Sequence, residues 1–221
     1  MMEGPAVARH VKVKVCGITR PEDALAAEEL GVEAIGLVFA ESRRRVDEEA
    51  ALEVVRAVGP FVVKVGVFRD QPLAEVLRVA GRLRLDLVQL HGDEDADYAA
   101  AVREELPVVR AVASEAALTP EAVAGYPADA YLLDAREPGS GQAFEWERAV
   151  AWRGHPRLVV AGGLNPRNVV AAIRALAPYA VDVSSGVESS PGVKDRRLMA
   201  EFVRAAQSVV IHRSARGPAA G

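Results

Sequence analysis

Cysteine is the scarcest informative residue in this chain of 221 residues: it occurs once, at position 16. A single thiol excludes an internal disulfide, and one thiol with four scattered histidines makes no set of metal ligands. Aromatic residues are only 5% of the chain, so the core must be drawn from Val, Leu, Ala and Ile. An excess of positive charge is also lacking. The formal net charge is −4, and no basic stripe interleaves with aromatics, which argues against nucleic acid as a partner. The run Arg43-Arg44-Arg45 is too short to be a polybasic tract. No apolar run approaches the roughly 20 residues of a membrane span, and Met1 to His10 lack the apolar segment of a secretion signal. The expectation is a soluble cytoplasmic protein with no membrane partner.

What is present is a regular alternation. Val11, Val13 and Val15 alternate with Lys12, Lys14 and Cys16, a strand signal of period two. Gly17 breaks that strand, and Thr19 with Glu22 three residues on reads as a capping box opening a helix over 21–30. The same pairing of strand and helix recurs. Strands are expected at 34–39, 61–68, 85–90, 107–113, 130–134, 157–161 and 180–184. Helices are expected at 47–58, 70–81 (capped by Asp70), 93–105, 114–124, 145–152, 165–177 and 195–212. Strict alternation implies a parallel sheet. Eight units in about 200 residues imply a single α/β domain, a (β/α)8 barrel of the TIM type over residues 11–212. Residues 1–10 are then an extension and 213–221 a polar tail. A doubly wound sheet is the alternative, but the Gly-x-Gly-x-x-Gly turn it favours after the first strand is absent.

Parity turns one set of residues in each strand toward the barrel axis. It assigns Lys12, Lys14, Cys16, Lys64, Gln89, Arg110, Asp134 and Asp182 to the interior. Unpaired buried charge is costly, so these residues are expected to form an ionic network along the axis. The alternative is that the lysines reach out through the barrel floor.

Catalytic sites of such barrels lie at the carboxyl ends of the strands. Cys16 ends the first strand, where a lone buried cysteine is either a small apolar side chain or, if the inward lysines and the helix opening at Thr19 lower its pKa, a base or nucleophile. Asp134 ends the sixth strand, across the mouth, before a loop over 135–142 suited to closing on a substrate. A base and an acid so placed suit an isomerase. Gly162 and Gly163 follow the seventh strand, and Ser184, Ser185 and Gly186 the eighth. Small residues at these two positions suit a phosphate site. Asp182 lies near the end of the eighth strand. One of the arginines after the second strand, Arg44 among them, is placed to pair with a carboxylate. His91, after the fourth strand, could bond a ligand or cap its loop.

Seven segments in order carry a family resemblance: KVCGITR at 14–20, GLVFAESRRRV at 36–46, VGVF at 65–68, VQLHGDE at 88–94, LLDA with GSGQAFEW at 132–146, VVAGGLNPRNV at 159–169, and VDVSSGVESSPGVKD at 181–195. The chain resembles the phosphoribosylanthranilate isomerase family of tryptophan biosynthesis. The resemblance implies a cofactor-free barrel acting on a phosphoribosyl substrate by an Amadori rearrangement, the third step from chorismate. It implies Asp134 as general acid and Cys16 as general base. It further implies Arg44 on the anthranilate carboxylate, Asp182 on a ribose hydroxyl or amine, and Gly163, Ser185 and Gly186 around the phosphate. Arg43 stands where the family usually has proline. A homodimer is the remaining partnership considered. A silent barrel that binds a phosphorylated metabolite is the competing reading. A metal-dependent epimerase would need more histidines at strand ends, and a Schiff-base aldolase a lysine at the mouth.

Overall fold

The valine-rich segments form strands and the alanine- and leucine-rich segments between them form helices, as β-branched and straight-chain residues respectively favour. The structure, a computed structural model, describes residues 7–113, 119–134 and 146–213. In chain order the elements begin β1 (Val7–His10), β2 (Lys12–Cys16), α1 (Pro21–Glu29), β3 (Ala34–Val38), α2 (Glu48–Ala57) and β4 (Val63–Phe68). They continue α3 (Leu73–Leu83), β5 (Leu87–Leu90), α4 (Ala96–Arg103), β6 (Val108–Ala113), β7 (Ala130–Asp134) and β8 (Leu158–Ala161). The last are α5 (Val169–Leu176), β9 (Ala180–Val183), β10 (Glu188–Ser190), β11 (Val193–Lys194), α6 (Arg196–Gln207) and β12 (Val210–Arg213). Strands β2 to β9 pair in sequence order, all parallel, and β9 closes on β2. This is the eight-stranded barrel expected. Short 3-10 helices at Pro120–Val123 and Trp146–Trp152 take two of the eight helical positions. The expected helix over 114–124 lies partly outside the described residues.

Two apolar shells hold the barrel. The outer one packs Val13, Val15, Ile35, Leu37, Leu90, Leu133 and Val181 against helix residues such as Val54, Ile173 and Phe202. The inner one is smaller in both number and side-chain size: Val109, Ala111, Leu132, Val159, Ala161 and Ala180. Nearer the mouth, Val38, Ala40 and Val67 pack beside Cys16.

The interior charges sort more sharply than parity alone predicts. Lys14, Gln89 and Asp182 are buried on the axis, and Lys14 donates to both of the others. Lys12 sits at the first position of its strand, about half exposed, with Glu33 at 3.9 Å. Lys64 and Arg110 do not enter the barrel. Lys64 shares the parity of Phe68, whose ring lies in the outer shell, and pairs with Asp86 at 2.8 Å. Arg110 alternates with Val109 and Ala111, the small residues the narrow axis admits. It points outward to Glu94 at 2.9 Å, its guanidinium over the Tyr126 ring.

Two expected caps also differ. Thr19 does not cap α1: its hydroxyl donates to Gly192 O at 2.6 Å, and Arg20 precedes the helix with no side-chain cap. Asp70 adopts a left-handed backbone (φ 61°) and accepts from Asp93 N, while α3 opens after Pro72. The last helix ends at Gln207 instead of reaching 212, and β12 returns to pair antiparallel with β1, from Val7 opposite Arg213 to His10 opposite Val210. Arg9 donates to Pro178 O at 3.3 Å and lies over the Tyr179 ring, beside the inner shell. This terminal ribbon fastens the two chain ends to the barrel floor. Removing residues 1–10 is expected to leave the barrel folded but to lower its melting midpoint by roughly 5–10 °C, for about 2–3 kcal/mol of lost pairing. An unchanged midpoint in a thermal melt would show that the ribbon contributes nothing.

Candidate active site

The strand ends converge on one cavity of about 330 Å³, lined by Cys16, Arg44, His91, Asp134, Gly162, Gly163, Asp182, Ser184 and Ser185. Nine of the ten residues singled out from the sequence therefore meet at one place. The tenth, Gly186, lies behind the wall. A Cβ there would collide with the carbonyl of Leu164, so its lack of a side chain lets the loops after β8 and β9 pack against each other.

Cys16 ends β2 with its side chain turned inward, beside Gly36 of β3. A Cβ at position 36 would stand 2.7 Å from the Cys16 sulfur and 3.2 Å from Lys14 Nζ. Glycine at that point leaves room for the thiol and the ammonium together. Lys14 Nζ donates to Asp182 Oδ2 and to Gln89 Oε1, each at 3.0 Å. Burial alone would lower the Lys14 pKa, but the Asp182 carboxylate and the Cys16 thiol beside it more than offset this and raise it. Burial pushes Asp182 up despite its lysine partner.

The thiol departs from expectation. Burial pushes Cys16 up, the Asp182 charge adds to the rise, and the opposing pull of Lys14 and Lys194 does not reverse it. The helix entry at Thr19, from which a lowering was expected, is not built as a capped terminus.

Asp134 ends β7, three strands round from β2 by way of β8 and β9. Its Oδ2 is 3.5 Å from His91 Nε2, and His91 Nδ1 is 3.1 Å from Gln89 Nε2. A continuous polar chain thus runs from Asp182 through Lys14, Gln89 and His91 to Asp134. The loop over 135–142 lies outside the described residues.

The loops after β8 and β9 form one wall of the cavity. Gly162 and Gly163 both take positive φ, at 84° and 66°, a conformation that strains any residue with a side chain. Two residues lining the cavity each have a buried polar atom with no bonding partner among the described residues, Asp182 Oδ1 and Ser184 Oγ. Such atoms carry a desolvation cost unless a ligand meets them.

Arg44 reaches the cavity already paired. Its Nε and Nη2 donate to the two oxygens of Glu188, both at 2.7 Å. Glu188 also accepts from Lys194 Nζ at 2.8 Å, and these two cations hold its pKa down at about 2 against the effect of burial. Lys194, its side chain wholly buried, gives its other bonds to Cys16 O at 2.7 Å and Ser184 O at 3.3 Å. Burial lowers its pKa although Glu188 works against that. One ammonium therefore ties the end of β2, the loop after β9 and, through Glu188, the arginine loop. Neither Glu188 nor Lys194 was singled out from the sequence. The signal was present in the Ser-Ser-Pro-Gly stretch between them: a Pro-Gly turn makes a hairpin, and β10 and β11 set Glu188 opposite Lys194. Among the described residues no group of His, Cys, Asp and Glu is arranged to hold a metal ion.

Comparison with known proteins agrees with this geometry. The family described as N-(5'phosphoribosyl)anthranilate (PRA) isomerase matches residues 13–205. The N-(5'-phosphoribosyl)anthranilate isomerase of Geobacter sp. (strain M21) is 49% identical over 203 residues, covering 90% of this chain and 98% of that protein. A phosphoribosyl anthranilate isomerase solved in complex with reduced 1-(o-carboxyphenylamino)-1-deoxyribulose 5-phosphate superposes with a TM-score of 0.79 at 38% identity, covering 90% of this chain and all of that one. The dimeric enzyme of Thermotoga maritima, solved as monomers, has the same TM-score at 37% identity and the same coverage. With a matching family profile over most of its length and a relative at nearly half identity, the chain belongs to the N-(5'-phosphoribosyl)anthranilate isomerase family.

Proposed function

We propose that this protein catalyses the Amadori rearrangement of N-(5'-phosphoribosyl)anthranilate to 1-(2-carboxyphenylamino)-1-deoxyribulose 5-phosphate, a step of tryptophan synthesis carried out in the cytoplasm. The observation that carries the reading is that Cys16 and Asp134 face the same cavity as the Gly162–Gly163 and Ser184–Ser185 loops. The substrate spans the mouth. Its phosphate lies against those loops, where backbone N–H groups approach an anion closely. Its anthranilate carboxylate meets Arg44, whose Nη1 edge is not used by Glu188. Asp182 Oδ1 and Ser184 Oγ, both without a partner among the described residues, are the protein atoms left to meet polar groups of the substrate.

Asp134 then protonates the ribose ring oxygen, and the bond from that oxygen to C1 breaks. The product is a protonated Schiff base between C1 and the anthranilate nitrogen. Cys16 takes the proton from C2, and those electrons form the C1–C2 double bond of an enolamine. Return of a proton to C1, with loss of the C2 hydroxyl proton, gives the ketone. No electrons enter or leave overall. The thiolate is the minority form of Cys16 at neutral pH, and the cation of the Schiff base joins Lys14 and Lys194 in favouring it. A weakly ionised thiol is the stronger base once ionised.

Turnover of phosphoribosylanthranilate, followed by the loss of its fluorescence, tests this directly. Wild type is expected to turn over, while Cys16→Ala and Asp134→Asn each lose at least about 10²-fold in kcat, the usual contribution of a positioned acid or base. Full activity in either variant removes that residue's role. An inactive wild type that still binds the substrate would favour the silent barrel.

We further propose that two copies of the chain associate through the barrel floor, leaving both mouths open. Phe61 is 96% exposed and Val63 37% exposed at the amino end of β4, opposite the cavity. Exposed apolar side chains grouped together mark interaction surfaces, and a relative is named as dimeric. Sedimentation should show a dimer for wild type and a monomer for Phe61→Arg, with turnover per chain retained. A monomeric wild type would overturn the proposal.

A further inference from the structure

Gln89 lies on β5 at the barrel axis, almost fully buried, and its amide has two neighbours of unlike chemistry. Lys14 Nζ is 3.0 Å from its oxygen, and His91 Nδ1 is 3.1 Å from its nitrogen. An ammonium can only donate, so the amide oxygen must face Lys14. The amide nitrogen then faces His91 and can only donate to it. A neutral imidazole has one donor nitrogen and one acceptor. With Nδ1 forced to accept, the ring proton sits on Nε2, the atom 3.5 Å from Asp134 Oδ2.

We propose that Lys14 and Gln89 are positioning residues that fix the tautomer of His91, so that its Nε2–H faces the carboxyl group of Asp134 while that group releases its proton. The proposal rests on Asp134 acting as the acid. Once the proton has passed to the ring oxygen, Asp134 is an anion in a partly enclosed site, with 27% of its side chain exposed. A donor aimed at it stabilises that anion, and the bond strengthens as charge develops. The other tautomer would aim a lone pair at the carboxylate and oppose the transfer. A separation of 3.5 Å is long for a formed bond, and catalytic bonds of this kind tighten when substrate fills the site.

The lock has a stable anchor. Asp182 and the Cys16 thiol keep Lys14 charged despite its burial, so its donor-only character persists across the working pH range. The same ammonium that neighbours the base therefore orients, through two side chains, the partner of the acid on the far side of the mouth. Sequence spacing supplies the relay: Gln89 and His91 are two residues apart, so they share a face at the end of β5.

Long-range proton–nitrogen correlation spectra of protein carrying labelled histidine read the tautomer directly. The chain has four histidines, and the His91 signals are those absent from His91→Gln. Wild type is expected to show His91 as the Nε2–H tautomer. Gln89→Leu removes the donor to Nδ1 and should mix the tautomers, with kcat reduced roughly 10- to 100-fold, the usual effect of losing an orienting partner, and KM little changed. Gln89→Glu sets an acceptor against Nδ1 and should reverse the tautomer to Nδ1–H. His91→Gln, whose amide N–H reaches the place of Nε2–H, should retain more activity than His91→Ala, a difference that a purely structural role would not produce. An Nδ1–H tautomer in wild type overturns the proposal, as does Gln89→Leu with unchanged spectrum and kcat. If Asp134→Asn kept full activity, the acid reading would fall while the tautomer result stood by itself.

Discussion

The site is organised by one buried ammonium. Lys14 Nζ sits on the barrel axis, 3.0 Å from Asp182 and 3.0 Å from Gln89. Burying such a charge unpaired costs several kcal/mol, and removing one partner of a buried pair costs about 3–5 kcal/mol, so the residues around it are tightly constrained. Asp182 must supply the counter-charge. Gln89 must turn its oxygen inward. Position 36 must be glycine, because a side chain there would press on both the ammonium and the neighbouring thiol. The pairing cannot be explained as a stability device alone, since well-packed apolar residues fill an axis at least as well. Its placement beside Cys16 and at the start of the polar chain to Asp134 is the more informative fact.

A second cation answers it at the rim. Lys194 is wholly buried and spends its three donors on Cys16 O, Ser184 O and Glu188. Glu188 in turn grips Arg44 with both oxygens. Two cations share this one carboxylate, so the cluster retains a net positive charge beside a cavity proposed to receive a substrate bearing both a phosphate and a carboxylate. The arrangement keeps Arg44 in a fixed rotamer before substrate arrives, which reduces the side-chain entropy lost on binding.

Much of this was legible in the sequence. The βα alternation gave the barrel because period-two valine runs broken by glycine leave few other solutions. The two glycine- and serine-containing loops line the cavity, as their places after the last two strands imply, because loops at the carboxyl ends of barrel strands meet at the mouth. Parity succeeded for Lys14, Cys16, Gln89, Asp134 and Asp182 and failed for Arg110 and Lys64. In the Val-Val-Arg-Ala-Val-Ala segment both faces are apolar but for one charge, so alternation does not say which way arginine points. The narrow axis selected Val109 and Ala111. Thr19 and Asp70 matched helix-cap patterns but found tertiary partners instead, Gly192 and Asp93. The terminal ribbon was hidden because four-residue strands at chain ends have too little pattern to read, and each exists only through the other.

The sequence also suggested that the lysines would make Cys16 acidic. In the folded chain they limit the rise without reversing it, because burial of the thiol acts more strongly. Burial thus raises the pKa of the Cys16 thiol and Lys14 restrains the rise. Because the protein has one cysteine, the rate of its alkylation by iodoacetamide, followed against pH in wild type and in Lys14→Met, reports that pKa without interference. The account predicts a wild-type midpoint above that of an ordinary thiol and a still higher one in Lys14→Met. A wild-type midpoint below the ordinary value, or one that Lys14→Met leaves unmoved, would contradict it.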